Sequence, residues 1–142
     1  VGGFPEGVFW GVTGDITLQY DGASLFASVI YERVTDFAPN LPRVNLFAYI
    51  LQGSTYVTNQ TELFARYEAG GPDDETAGGD RLQILTVGVN HYVDGQDMKF
   101  TADVGFSFGE ISQYMANTET GWIADLERRD QVVLRTQIQL LF

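Results

Sequence analysis

The sequence predicts an all-β chain folded as an antiparallel up-and-down sheet, and three observations carry that prediction. Apolar and polar residues alternate with period two along nearly the whole length, and no stretch shows a 3.6-residue stripe. The alternating runs are joined by connections that are short and long in turn. Aromatic residues at the apolar positions gather toward the ends of the runs, leaving aliphatic residues between them. Period two gives each run one apolar and one polar face, so what matters next is which solvent meets the apolar one.

The first strand is placed at 8–20, with Trp10, Val12, Gly14, Ile16, Leu18 and Tyr20 on one face and Thr13, Asp15, Thr17 and Gln19 on the other. "DG" at 21–22 is a two-residue hairpin signal. The second strand, 23–34, sets Leu25, Ala27, Val29 and Tyr31 against Ser24, Ser28 and Glu32, interrupted by Phe26 and Ile30. "TDFAPNLPR", with two prolines, connects it to a third at about 44–57, which alternates least clearly. After a turn at 58–60, the fourth, 61–69, opposes Leu63, Ala65 and Tyr67 to Glu62, Arg66 and Glu68. "GGPDDETAGGD" at 70–80 reads as an exposed loop. The fifth, 82–93, sets Leu85, Val87, Val89 and Val93 against Thr86, Gly88 and Asn90. "DGQD" at 94–97 turns into the sixth, 98–109, the clearest of all: Met98, Phe100, Ala102, Val104, Phe106 and Phe108 against Lys99, Thr101, Asp103, Gly105 and Ser107. A long polar connection runs to about residue 130, and 131–142 is the closing strand. An alternative hides two strands in the weak third one and yields a small eight-stranded barrel.

Composition narrows the solvent. The 142 residues carry 8 Lys+Arg against 19 Asp+Glu, a formal charge of −11, which argues against a nucleic-acid partner. There is no cysteine, so no disulfide, thiol nucleophile or thiolate metal site can form. Apolar runs such as "LFAYIL" fall far short of the roughly 18–20 residues of a spanning helix. Strands of roughly 9–13 residues nevertheless exceed the usual five or six of soluble sheets, and a membrane strand alternates instead of running apolar. Trp10, Tyr31, Tyr67 and Phe108 lie at strand ends next to long connections; Tyr20, Phe100 and Phe142 lie near short turns. Two aromatic bands flanking an aliphatic middle are what the two interfaces of a bilayer favour. The expected fold is therefore an antiparallel up-and-down transmembrane β-barrel, and these strands are one portion of it. A bacterial barrel has an even strand count, so about seven strands form the C-terminal part of a larger single domain. Tight turns lie on the periplasmic side of such barrels, which expects a periplasmic C-terminus in the bacterial outer membrane, with its lipid as the partner of the apolar face.

"RTQIQLLF" (135–142) ends the chain on Phe142, with Leu134, Ile138 and Leu140 in phase with it. This resembles the C-terminal signal by which bacterial outer-membrane proteins are read by the barrel-assembly machinery. "AYILQGSTYV" (48–57) followed by "TELFARYEAG" (61–70), the hairpin "LTVGVNHYVDGQDMKFTADVGF" (85–106) and the closing "RDQVVLRTQIQLLF" resemble the C-terminal half of the phosphate-selective porin O and P family. The resemblance covers about 8–142 and is most specific at 85–106. It implies the last seven strands of a sixteen-stranded, usually trimeric barrel that passes small anions, without a cofactor.

The charges expected to line the pore are Asp15, Glu32, Glu62, Arg66, Glu68, Lys99, Asp103 and Arg135, five acids against three bases. Anion selectivity needs basic rings, so the family's phosphate preference is not carried over. Arg66 with Glu62 and Glu68 reads as an ion-pair ladder. "PDDE" (72–75) has ligands for Ca²⁺ but reads more simply as an acidic loop tip. His91, the lone histidine, falls on the apolar face near the short turns, where it anchors at the interface and has no catalytic partner. "NQT" (59–61) fits a glycosylation sequon that a bacterial outer-membrane protein would not use, and no hydrolase, metalloprotease or phosphate-loop motif is present. The expected function is passive diffusion of small hydrophilic solutes, with no bond chemistry. The alternatives are an adhesive or structural barrel with a plugged lumen and a soluble lipocalin-like carrier with its apolar faces turned inward.

Overall fold

The computed structural model describes residues 8–35, 44–72, 82–94, 97–109, 121–123 and 130–141. They form seven strands and no helix: β1 (Val8–Tyr20), β2 (Ala23–Thr35), β3 (Val44–Thr58), β4 (Thr61–Pro72), β5 (Leu82–Asp94), β6 (Met98–Ser107) and β7 (Val132–Leu140). Each pairs antiparallel with its sequence neighbours, giving one up-and-down sheet in the order β1 to β7. β1 and β7 are its edges, and the sheet does not close on itself.

The hairpins are set by local chemistry. Asp21 and Gly22 both take positive φ, 28° and 79°, as the type I′ turn that matches strand twist requires. The turn after β3 is tighter than expected: Thr58 stays in the strand and pairs with Thr61, leaving only Asn59 and Gln60 to reverse the chain. A register shift between Tyr56 and Thr58, and another between Tyr92 and Asp94, mark bulges beside two of the short turns.

Several expected limits move. β3 is one unbroken 15-residue strand, so the eight-stranded alternative is not what forms. Gly70, Gly71 and Pro72, expected in a loop, extend β4 and pair with Ala48, Phe47 and Leu46. Among the described residues the pairing of β4 with β5 runs as far as Gly70, and Pro72 lies two residues beyond it. β6 ends at Ser107, which leaves Phe108 just past the strand, and β7 is shorter at both ends than 131–142. Phe142 and residues 73–75 of the acidic cluster lie outside the described residues.

The register decides the faces, because directly paired residues point the same way. Starting from Ile16, the pairs run Ile16–Ala27, Ala27–Leu51 and Leu51–Tyr67 into Tyr67–Leu85, Leu85–Phe106 and Phe106–Val132. The paired members of the apolar sets read from alternation therefore fall on one common face, and the register does not place Val93, Phe108 and Phe142. The other face carries Asp15, Glu32, Glu62, Arg66, Glu68, Lys99, Asp103 and Arg135 together.

The two faces differ in shelter. The apolar face is open: Leu134 is 73 % exposed and Ile138 61 %, and Leu18, Val29, Leu51, Leu63 and Val87 are all exposed as well. On β2 to β6 the opposite face is mostly half-buried, as a sheet curled toward its polar side would leave it. Among the described residues the only buried apolar side chains are Ile84 and Trp122. Among the described residues most large hydrophobic side chains lie on one open face of the sheet, not in a core.

Candidate functional site

The half-buried face of β4 to β7 holds a polar lattice built in cross-strand rungs. Nearest the short turns, Glu62, Asn90 and Thr101 lie opposite one another on β4, β5 and β6. Asn90 Nδ2 donates to Glu62 Oε2 at 2.9 Å, and Thr101 Oγ1 donates to Asn90 Oδ1 at 2.7 Å. Tyr92 O–H donates to the same Glu62 oxygen at 2.8 Å, while its ring meets Tyr56 at 5.8 Å and has Lys99 Nζ 6.0 Å from its centroid. On the neighbouring hairpins the hydroxyls of Ser24 and Ser54 lie 2.7 Å apart.

Further along, Asp103 of β6 faces Arg135 of β7. Arg135 puts both Nε and Nη2 at 2.7 Å from Asp103 Oδ1, and Nη2 also donates to Thr86 Oγ1 at 3.4 Å. Both side chains are largely sheltered, so the pair is charge-assisted and only partly solvated. Asp103→Ala is expected to cost about 1.5–3 kcal/mol, the range for hydrogen bonds to charged groups. A double-mutant cycle with Arg135→Ala checks it, and a coupling energy near zero refutes it.

The expected ladder around Arg66 forms only in part. Arg66 Nε lies 3.3 Å from Glu68 Oε2, a charge contact without hydrogen-bond alignment. Glu62, expected as the second partner, is taken by Asn90 and Tyr92 instead. Tyr56 and Tyr92 were not singled out from the sequence, because bulges beside them blur the alternation. The face is also less evenly polar than expected, since Phe26, Ile30, Leu46 and Ile50 make an apolar area on β2 and β3.

Two glycines let aromatic rings lie against this face. A Cβ on Gly88 would come within 2.5 Å of the Phe64 ring, 2.7 Å of Asp103 Cβ and 2.8 Å of the Ala102 carbonyl oxygen. A Cβ on Gly105 would come within 2.9 Å of the Trp122 ring. A glycine inside a strand is the sequence mark of such close approach.

On the apolar face the aromatic residues by the long connections are joined. Trp10 and Tyr31 meet in a tilted pair with centroids 5.5 Å apart, Tyr49 meets both Phe47 and Tyr67 at 5.9 Å, and Phe47 pairs in register with Tyr31. Phe47 and Tyr49 are members that alternation missed, because β3 is apolar on both faces. Tyr67 O–H donates to Gln83 Oε1 at 3.2 Å. Toward the short turns lie Tyr20, Phe100 and His91, whose Nδ1 is 3.1 Å from Thr61 Oγ1. Leu134, Ile138 and Leu140 share this face. Among the described residues no three His, Asp or Glu side chains converge as metal ligands. Comparison with protein families, curated proteins and solved structures finds no match to this chain.

Proposed function

We propose that this chain is a portion of a bacterial outer-membrane β-barrel, porin-like, that lets small hydrophilic solutes diffuse passively, with its C-terminus in the periplasm. One observation carries the reading: the open face of the sheet is apolar and banded with aromatics, with Arg33 beside Trp10 at one end, while Asp15, Glu32, Glu62, Arg66, Glu68, Lys99, Asp103 and Arg135 gather on the other face, which is mostly half-buried on β2 to β6. An inward-facing carrier needs the reverse arrangement. Lipid is the covering that satisfies an exterior of this kind, and the lattice of Glu62, Arg66, Lys99, Asp103 and Arg135 then faces an aqueous bore.

Parity supports a larger barrel. β1 and β7 run in the same direction, so they cannot pair antiparallel with each other, and lipid does not tolerate two open edges. An odd number of further strands completes an even-stranded barrel, which is consistent with the sixteen that the porin resemblance implies. Assembly by the barrel machinery through Leu134, Ile138, Leu140 and Phe142, and a trimeric state, belong to the same proposal.

The test is single-channel recording of the full-length protein in a planar bilayer. Stepwise ohmic currents are expected. Stable insertion without steps would indicate the plugged, adhesive alternative, and extraction from cells without detergent would indicate the soluble carrier.

A further inference from the structure

The two tryptophans are treated in opposite ways. Trp10 is 47 % exposed on the apolar face, whereas Trp122 is only 6 % exposed, although it belongs to the long connection between β6 and β7. Its ring lies against Gly105, packs with Ile84, Leu82 and Val133, and stands near Thr86, the polar group that Arg135 also reaches. Gly105, Ile84, Thr86 and Val133 all belong to the charged face. This stretch of the connection therefore folds over the face that the channel reading makes aqueous, and does not lie on the lipid side.

Three contacts besides the ring hold it there. The side chain of Gln131 clamps Ile123 at both backbone groups: Ile123 N–H donates to Gln131 Oε1 at 3.1 Å, and Gln131 Nε2 donates to the Ile123 carbonyl at 2.6 Å. Gln131 is held in turn at its own N–H by the buried Ser107 hydroxyl at 2.9 Å. Gly121 sits so close to Val133 that a Cβ there would come within 2.8 Å of Cγ1. A loop tip that merely rests on a surface does not need a glycine beneath its ring, a two-point clamp and a second close approach.

We infer that Trp122 is a bore-setting residue: seated on Gly105, it pins residues 121–123 over the charged face and narrows the passage at the long-connection end. The inference rests on the channel reading. Solutes passing at this level meet the pinned segment on one side and the Arg135–Asp103 pair next to it. Selection there is by cross-section first and charge second.

The experiment is single-channel recording of the full-length protein with Trp122→Ala and with Gly105→Val. The valine fills the space under the ring and evicts it by a second route, which guards against a folding defect peculiar to one variant. Both are expected to enlarge the conductance step, on the order of twofold, because conductance follows open cross-section. The double variant should conduct no more than either single one. Wild-type and variant steps of equal size overturn the inference and leave the channel reading standing. Steps in the variants but none in the wild type sustain the pin and show that it closes the bore. No steps from any of the three, with each shown to be folded and inserted, overturn the channel reading and this inference with it.

Discussion

Gly88→Ala is expected to destabilise the folded protein by about 1–3 kcal/mol, the cost of forcing an extra carbon into a packed site, and Gly88→Val by more. The reason lies in what surrounds the position. The Phe64 ring could swing away at some loss of contact, but the Ala102 carbonyl and Asp103 Cβ belong to the adjacent strand. Relief therefore requires β5 and β6 to part where Asp103 must also reach Arg135. Phe64→Ala in the Gly88→Ala background should recover only part of the loss, because one of the three close contacts goes and two remain. Gly14→Ala is the matched control: it sits in β1 with nothing within 4 Å, and removing a strand glycine there should be neutral or slightly stabilising. Denaturant midpoints of the lipid-reconstituted protein measure all four variants. Equal effects at Gly14 and Gly88 would sink the account.

How far the sequence foretold this arrangement varies by element. β6 was plain, because apolar and polar residues alternate through ten positions without a break, and its faces in the register are those alternation assigned. The "DG" hairpin was equally plain, since both of its residues adopt the positive φ that the turn demands. β3 was hardest for a physical reason: Leu46, Ala48 and Ile50 are apolar on the sheltered face while Phe47, Tyr49 and Leu51 are apolar on the open one. Period two vanishes when both faces are apolar, and the aromatic members Phe47 and Tyr49 vanish with it. The continuation of β4 through Gly70, Gly71 and Pro72 was hidden by residue types that usually punctuate strands.

The polar lattice was legible as membership but not as pairing. Alternation puts Glu62, Arg66, Lys99, Asp103 and Arg135 on one face, yet only the register tells that Asp103 meets Arg135 while Glu62 meets Asn90. Trp122 was not legible, because no periodicity extends into the long connection. Its seat was detectable in principle, since Gly105 interrupts an otherwise well-filled strand and such a gap invites a ring from elsewhere.

Val87→Arg bears most directly on which solvent the apolar face meets. Val87 lies in the middle of that face, exposed, paired with Ala65 on β4 and Val104 on β6, between the aromatic band at Tyr67 and the level of His91 and Phe100. If hydrocarbon covers the face, arginine there should cost about 2–4 kcal/mol, and His91→Arg, near the interface, only about 0–1. Thr17→Arg, an exposed position on the charged face of β1, should cost next to nothing. The quantity to measure is the gradient between Val87 and His91, from urea unfolding of the protein in lipid vesicles. Water over the face would give a different pattern, because exposed surface substitutions stay within about 0.5 kcal/mol wherever they fall. A flat profile would leave the exposed valines, leucines and phenylalanines in need of another covering, a protein layer, and the porin reading would go with the lipid.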